Sequence, residues 1–232
     1  MSVKLGVPSK GRLMEATFDW FKARGVTLER TGDEREYAGR VRGAPGVDLV
    51  LLSAGEIPRE LASGRIALGV TGSDVVQEKL ANWQDQVKAL APLGFGHADL
   101  VVAVPKTWVD VEDFGDLDAV AAQFRKNHGK RLRIATKYHR LVRAALKDAG
   151  VADYQLVDSQ GATEGTVANL TAEAIADITS SGATLEANHL KIIGDVIHSS
   201  QATLFRSKAA KLGDWDVADL ASLMRKLGTS GT

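Results

Sequence analysis

One strand–loop–helix unit decides the fold of this chain. Its strand is Tyr154-Gln-Leu-Val-Asp158, its loop is Ser159-Gln-Gly-Ala-Thr-Glu-Gly-Thr166, and Val167-Ala-Asn-Leu170 can continue as a helix. A short apolar strand that leads through small residues into a helix is the repeating unit of α/β proteins. The same geometry can present several backbone N–H groups to one phosphate. The stretch therefore predicts an α/β fold and a candidate anion site.

The loop after this strand has a composition suited to a phosphate. Gly161 lets the backbone approach a ligand closely, and the hydroxyl groups of Thr163 and Thr166 can add donors. Glu164 would repel a bare phosphate, so a divalent metal or sugar hydroxyls must offset its charge. The candidate phosphate-binding residues are Gly161, Ala162, Thr163, Glu164, Gly165 and Thr166. The alternative is an ordinary connection, in which Gly, Ser and Thr are also the usual residues.

Two carboxylates follow the loop, at Glu173 and Asp177. Carboxylates accept hydrogen bonds from both hydroxyl groups of a ribose diol. A phosphate loop beside a pair of acids therefore suggests a phosphoribosyl group as the ligand.

Composition and charge argue against several classes of function. The 29 Lys and Arg residues balance the 29 Asp and Glu residues of this 232-residue chain, so its formal net charge is zero. That balance gives no support to a nucleic-acid binder, which should show a basic face. The chain has no cysteine, and its five histidines show no metal-binding spacing. Disulfides, a thiolate nucleophile and a protein-held zinc are therefore not expected.

The sequence predicts neither a secretory leader nor a membrane span. Lys4, Pro8 and Lys10 interrupt the apolar residues at the N-terminus. No segment approaches the roughly 18 apolar residues that a membrane-spanning helix needs. We therefore expect a cytoplasmic protein.

Strand-like runs alternate with helical patterns along the chain, which predicts largely parallel sheets. Strands are predicted at Val3–Val7, Val47–Leu52, Ile66–Val70, Leu100–Val104, Leu132–Ala135 and Tyr154–Val157, and helices at Leu13–Arg24, Asp116–Arg125, Tyr138–Ala149 and Val217–Leu227. The block 95–185 contains its own set of strands and helices. We predict lobe I at residues 1–94, completed by 186–232, and lobe II at 95–185. A ligand cleft is expected between the lobes.

Two further junctions between a strand and a helix carry candidate ligand groups. Lys10 and Arg12 follow the first strand, where two cations suit a polyphosphate and Arg12 can bind in a bidentate manner. Gly72 and Asp74 follow a later strand and could line a nucleotide. The alternatives are solvated loop charges and, for Asp74, a simple helix cap.

The densest basic stretch lies at a third such junction and offers Lys137 as another possible phosphate contact. Its members are Arg131, Arg133, Lys137, Arg140 and Arg143. The alternative is a solvated face, which most charge runs form.

Four segments, in this order and spacing, resemble the ATP phosphoribosyltransferases that open histidine biosynthesis. They are Pro8-Ser-Lys-Gly-Arg-Leu13, Ala67-Leu-Gly-Val-Thr-Gly-Ser-Asp74, Arg133-Ile-Ala-Thr-Lys-Tyr138 and Gly161-Ala-Thr-Glu164 continuing to Ala172-Glu-Ala-Ile-Ala-Asp-Ile178. Ser180-Ser-Gly-Ala-Thr-Leu-Glu-Ala-Asn-His-Leu190 is similar to the segment that closes the family's phosphoribosyl lobe. Two positions depart from the family: Gly165-Thr-Val167 replaces an apolar residue, Ala and Pro, and Glu173 replaces Asp.

This resemblance implies a two-lobed fold like that of type II periplasmic binding proteins. Only about 25 residues follow Phe205, which resembles the family's short form. The short form implies a homodimer of catalytic chains that works with a separate regulatory subunit resembling histidyl-tRNA synthetase.

The resemblance also implies the reaction and the role of each candidate residue. ATP and phosphoribosyl pyrophosphate would give phosphoribosyl-ATP and pyrophosphate, with Mg²⁺ bound to the pyrophosphate oxygens. The loop 161–166 would hold the 5′-phosphate, and Glu173 and Asp177 the ribose. Lys10 and Arg12 would face the pyrophosphate, and Arg35 would reach this same leaving group. Gly72 and Asp74 would line the ATP.

Two other functions compete with this interpretation. A two-lobed protein can bind a small anion without catalysis, although the missing leader argues against periplasmic capture. A phosphoribosyltransferase of the commonest type would show two adjacent acids before its loop, and Asp158-Ser159 does not supply them.

Overall fold

The computed structural model describes residues 2–31, 38–159 and 161–229. The chain divides into two compact units, Met1–Gly96 with Gln201–Thr232 and His97–Ser200. The predicted lobes differ from these units mainly in residues 186–200. That segment carries a long strand that pairs within the second unit.

The described residues form strands and helices that alternate through most of the chain. The strands are β1 (Val3–Pro8), β2 (Thr27–Arg30), β3 (Ala38–Arg42), β4 (Val47–Leu52), β5 (Leu68–Gly72), β6 (Val87–Pro92), β7 (Ala98–Pro105), β8 (Leu132–Thr136), β9 (Tyr154–Asp158), β10 (Ala174–Thr179), β11 (Leu190–Ser200) and β12 (Ala202–Ser207). The helices are α1 (Gly11–Lys22), α2 (Ile57–Ala62), α3 (Ser73–Lys79), α4 (Trp83–Gln86), α5 (Phe114–His128), α6 (His139–Asp148), α7 (Gly165–Ala168), α8 (Ala183–Ala187) and α9 (Asp214–Leu227).

The first unit is built on a seven-stranded sheet with the order β2-β3-β4-β1-β5-β12-β6. Val3, Leu5 and Val7 of β1 are completely buried in its core. β1 pairs in parallel with β4 and with β5. Because these three strands are parallel, their carboxyl ends meet at one edge, where the segments that begin α1 and α3 also lie.

The second unit is built on a five-stranded sheet with the order β11-β7-β10-β8-β9. β8 pairs in parallel with β9 and with β10, whereas β7 is antiparallel to β10 and β11. Leu132 and Ile134 of β8 and Val142 and Leu146 of α6 are buried in the hydrophobic core of this unit. Because β8, β9 and β10 are parallel to one another, their carboxyl ends share one edge of this sheet.

No helix in the described part of the chain is long and apolar enough to cross a bilayer.

Leu170 follows α7 in a conformation that favours glycine, with a φ of 57°. Its side chain is 80% exposed, so it contributes little burial. A left-handed residue with a Cβ atom costs about 1 kcal/mol. We expect Leu170→Gly to raise the free energy of unfolding by about 0.5–1 kcal/mol in urea denaturation. Leu170→Ala, which keeps the Cβ atom, should leave stability nearly unchanged. A Gly variant less stable than the Ala variant would contradict the prediction.

Candidate active site

The carboxyl edge of the second sheet gathers one group of predicted site residues. Ala176 is paired with Thr136. Asp177 and Lys137 are the next residues of these neighbouring strands, so they lie at about the same level along the sheet. The Lys137 Nζ atom donates a hydrogen bond of 2.6 Å to the carbonyl oxygen of Gly161. The structure thus brings Asp177, Lys137 and the loop after β9 to one edge.

Glu173 is not part of this group. It precedes β10, where its N–H donates to the carbonyl oxygen of Arg133 at 3.0 Å. Asp177 lies four residue steps further along the extended backbone, a distance of about 13 Å. That Glu173 and Asp177 hold one ribose diol stays a prediction, and the length of extended backbone between the two residues argues against a shared ligand.

The Glu173 carboxylate already has a partner in Arg133. The two side chains form an ion pair of 2.6 Å, and the Arg133 backbone N–H donates to the same carboxylate at 2.8 Å. Partial burial alone would raise the pKa of Glu173, but the hydrogen bonds and charge of Arg133 outweigh it and lower this pKa. Arg133 also donates to the carbonyl oxygen of Leu170. We infer a structural role: the pair joins β8 to the turn that enters β10.

We expect Glu173→Gln to lower the free energy of unfolding by about 1–3 kcal/mol, since Arg133 loses a charged acceptor. Because the pKa of Glu173 is lower in the folded state, this stability is present above the unfolded pKa and is lost as pH falls through the folded one. Urea denaturation of variant and wild type between about pH 3 and 7 measures both effects. The free energies of unfolding of the variant and the wild type should become equal at the acid end of this pH range.

Glu186→Gln serves as the control, because it removes a carboxylate whose ion pair with Lys106 is largely exposed. Its stability should match that of the wild type. A Glu173→Gln variant with normal stability and weakened phosphoribosyl pyrophosphate binding would restore the ligand role.

The hydroxyl groups of Thr163 and Thr166, predicted as phosphate donors, take part in hydrogen bonds within the loop. Thr163 is completely buried, and its Oγ1 accepts a hydrogen bond of 2.8 Å from the Ser159 hydroxyl. The Thr166 hydroxyl donates to the carbonyl oxygen of Thr163 at 2.7 Å. Both side chains stabilise the loop itself, because a buried polar group needs a partner within the protein.

The remaining loop residues still present groups at the surface. Gly161 has a φ of 95°, so its backbone requires glycine whatever the ligand. Ala162 is exposed, and Gly165 donates its N–H to the Ala162 carbonyl oxygen at 3.3 Å. Glu164 is half-buried and forms no ion pair with a described residue. Gln160 lies outside the described residues.

A second turn at the same edge was not identified as a phosphate site from the sequence. β10 ends at Thr179, and a turn through Ser181 and Gly182 leads into α8. The Gly182 N–H donates to the Thr179 hydroxyl at 2.8 Å, and Gly182 has a φ of 73°. The run Ser180-Ser-Gly-Ala-Thr184 has the same small-residue composition as the loop after β9. That composition was the available signal.

The carboxyl edge of the first sheet gathers the other predicted residues. Lys10 and Arg12 are exposed at the start of α1, and neither forms an ion pair with a described residue. The first turn of α1 contains no acidic residue. Cations at the positive end of a helix dipole are unfavourable by some tenths of a kcal/mol to about 1 kcal/mol. The arrangement therefore favours an anion at this position.

Gly72 and Asp74 lie together at the end of β5. Asp74 is buried, and a Cβ atom on Gly72 would come within 2.2 Å of the Asp74 Oδ1 atom. Gly72 is therefore needed for the carboxylate to keep its place. Glu56 lies at the N-cap of α2, in the connection after β4, where the Ser53 hydroxyl and N–H donate to it. Glu56 was not among the residues predicted from the sequence.

Arg35 lies outside the described residues, which resume at residue 38. Arg30, just before that gap, donates from Nη2 to the carbonyl oxygen of Ser9, next to Lys10. The described ranges contain no group of three or more His, Asp or Glu side chains that could hold a metal ion.

Comparison with known proteins finds a family match over most of the chain. The family model for ATP phosphoribosyltransferase matches residues 53–228. An ATP phosphoribosyltransferase of Cereibacter sphaeroides is 69% identical over 98% of this chain and 97% of its own length. Such identity over both full lengths places every candidate segment within the matched region.

Two solved structures show the same fold at low identity. An ATP phosphoribosyl transferase (HisG:HisZ) complex from Thermotoga maritima has a TM-score of 0.74 at 22% identity, covering 97% of this chain and 96% of that one. A putative L-cystine ABC transporter protein of Listeria monocytogenes has a TM-score of 0.57 at 12% identity, covering 98% and 89%. The predicted two-lobed α/β fold is confirmed, but the two sheets are mixed rather than largely parallel. By the family model and the high identity over its length, the chain belongs to the ATP phosphoribosyltransferase family.

Proposed function

We propose that this protein transfers the phosphoribosyl group of phosphoribosyl pyrophosphate to N1 of the adenine of ATP, as the first step of histidine biosynthesis. The observation that carries the proposal is the 69% identity to an ATP phosphoribosyltransferase over nearly the full length of both chains. The clustering of Lys10 and Arg12 at one carboxyl edge, and of Lys137 and Asp177 at another, supports it.

The chemistry requires positioning and charge stabilisation more than proton transfer. The lone pair of adenine N1 forms a bond to the anomeric carbon, and the bond from that carbon to pyrophosphate breaks. Positive charge develops on the ribose ring and negative charge on the leaving group. Fixed charges and oriented hydrogen-bond donors stabilise both developing charges. Binding the two substrates in one site lowers the entropic cost of bringing them together.

In this proposal the first unit supplies the cations and the nucleotide surface. Lys10 and Arg12 stabilise the charge that develops on the pyrophosphate, because both cations lie at the N-terminus of α1 without an acidic neighbour in its first turn. Gly72 and Asp74 line the ATP. Arg35 reaches the leaving group, within or across a subunit boundary.

The second unit supplies the phosphoribosyl-binding groups. Asp177 accepts from the ribose hydroxyls, and Glu164 is a better second acceptor than Glu173, which Arg133 occupies. The main chain from Gly161 to Thr166 is the first candidate for the 5′-phosphate. The turn from Thr179 to Thr184 is a second candidate, since it follows a central strand of the sheet at the same edge.

Mg²⁺ enters this proposal with the substrate. It prefers oxygen ligands and commonly keeps substrate phosphates and waters with only one or two protein carboxylates. Asp177 offers one such carboxylate at the proposed site. When bound, the ion would neutralise charge on the pyrophosphate.

We also propose a homodimer that associates with a separate regulatory subunit. The similar Thermotoga maritima structure is a HisG:HisZ complex. Sedimentation of the chain with and without a candidate regulatory subunit tests both steps of assembly.

The deciding experiment incubates the protein with ATP, phosphoribosyl pyrophosphate and Mg²⁺ and follows the absorbance of phosphoribosyl-ATP. Formation of this product with equimolar pyrophosphate supports the proposal. Binding of phosphoribosyl pyrophosphate without turnover, in the presence and absence of the regulatory subunit, would favour the alternative of an anion-binding protein.

A further inference from the structure

Two cationic or potentially cationic side chains, one in the turn between β8 and α6 and one at the start of α6, contact the loop after β9 and the last residue of that strand. Lys137 is the first residue past β8, and its Nζ atom donates to the Gly161 carbonyl oxygen at 2.6 Å. His139 is the first residue of α6, and its Nε2 atom lies 2.6 Å from the Asp158 Oδ1 atom. Asp158 ends β9, immediately before the loop. The two contacts therefore hold the loop near its beginning and at Gly161.

We propose that Lys137 and His139 are positioning residues that together set the conformation of loop residues 161–166 for phosphoribosyl pyrophosphate. This inference rests on the proposed function and adds to it the groups that orient the loop. His139 acts through Asp158 and has no assigned contact with either substrate.

The rest of the loop explains why these two contacts matter. Its inner side is held by the Ser159 and Thr163 hydroxyls, which pair with each other, and by the Thr166 hydroxyl, which donates to the Thr163 carbonyl oxygen. These bonds join the loop to itself. In contrast, Lys137 and His139 join it to the neighbouring strand and helix, so they determine where the loop sits relative to Asp177.

The solvent exposure of the His139–Asp158 pair indicates that its loss should change substrate binding more than protein stability. The Asp158 side chain is 78% exposed and that of His139 is 31% exposed. Such a pair contributes little to global stability. Its removal should therefore change the conformation of the loop and the binding of phosphoribosyl pyrophosphate, while the thermal midpoint stays near that of the wild type.

β9 provides a matched control at its other end. Asp153 precedes the strand and forms an ion pair with Arg125, the residue that lies near the end of α5. This pair also joins a helix to a residue flanking β9, but at the edge opposite to the loop. Arg125→Ala therefore removes a comparable contact without touching the proposed positioning residues.

The experiment measures steady-state rates for His139→Ala, Asp158→Ala, the double variant, His139→Gln and Arg125→Ala. His139→Ala should raise KM for phosphoribosyl pyrophosphate about three- to fivefold, as expected for the loss of an exposed ion pair, with kcat and KM for ATP within about twofold. Asp158→Ala and the double variant should show the same increase, since the two residues act as one contact. His139→Gln, which keeps an N–H donor, should restore most of the loss, and Arg125→Ala should change neither KM.

A second measurement does not depend on activity. Hydrogen exchange of the amides of residues 161–171 in the free protein should be faster in His139→Ala and unchanged in Arg125→Ala. Unchanged exchange together with an unchanged KM would overturn the inference. So would an equal rise in both KM values accompanied by a lower thermal midpoint, because that pattern indicates general destabilisation. If the wild type makes no phosphoribosyl-ATP, the proposed function fails, and the exchange result alone still decides whether His139 holds the loop.

Discussion

Arg12→Ala should reduce turnover by about 2–4 kcal/mol of transition-state stabilisation, roughly 30- to 800-fold, with a much smaller change in KM for ATP. Arg12 lies exposed in the first turn of α1, which has no acidic residue to offset its charge. In the proposed reaction this charge is compensated only when pyrophosphate is present, and most strongly as the leaving group gains negative charge. Initial rates with each substrate varied in turn measure the effect.

The same substitution should not lower stability. A cation in the first turn of a helix opposes the helix dipole, so its removal should leave the free energy of unfolding equal or slightly higher. Lys22→Ala, at the other end of α1, is the matched control: Lys22 is exposed in the last turn, where a cation is favourable. We expect nearly normal turnover there. Arg12→Lys should be intermediate, because lysine lacks the bidentate geometry. Normal turnover in Arg12→Ala would make Arg12 a solvated surface charge.

Asp177→Asn should weaken the binding of phosphoribosyl pyrophosphate by about 1.5–3 kcal/mol, which is roughly a 10- to 150-fold increase in Kd. Asparagine has the same shape and retains an oxygen for the 2.8 Å hydrogen bond that Asp177 Oδ1 accepts from the Ile178 N–H. The substitution therefore removes the charge while keeping the local backbone contact. Calorimetric titration with phosphoribosyl pyrophosphate and Mg²⁺, and separately with ATP, measures the two affinities.

Asp148→Asn is the control for charge alone, because Asp148 is an exposed residue at the far end of α6. Its affinities should equal those of the wild type. If Asp177→Asn also keeps its affinity for phosphoribosyl pyrophosphate, the ribose is bound elsewhere. A selective loss for Glu164→Gln would then indicate that the loop after β9 holds it.

Local patterns were sufficient to predict the central elements. The strand predicted at Val3–Val7 is observed as Val3–Pro8, and the one at Leu100–Val104 as Ala98–Pro105. These strands form apolar runs bounded by polar or turn residues. Such a pattern can be recognised within a few consecutive residues of the sequence. β2 and β3 were not predicted. They carry several arginines and lie at one edge of the sheet, where weak burial leaves a weak pattern.

The sequence by itself determined the family, the α/β class and the segments that supply the candidate ligand groups, because these depend on residue order and spacing. Only the tertiary structure shows which of those groups lie near one another. Glu173 and Asp177 are four residues apart, a spacing that would make them neighbours on a helix. They lie in an extended segment instead, so about 13 Å separates them, and Arg133 pairs with Glu173 from the adjacent strand. Sequence spacing cannot reveal such a partner, because strand pairing joins residues that are distant along the chain.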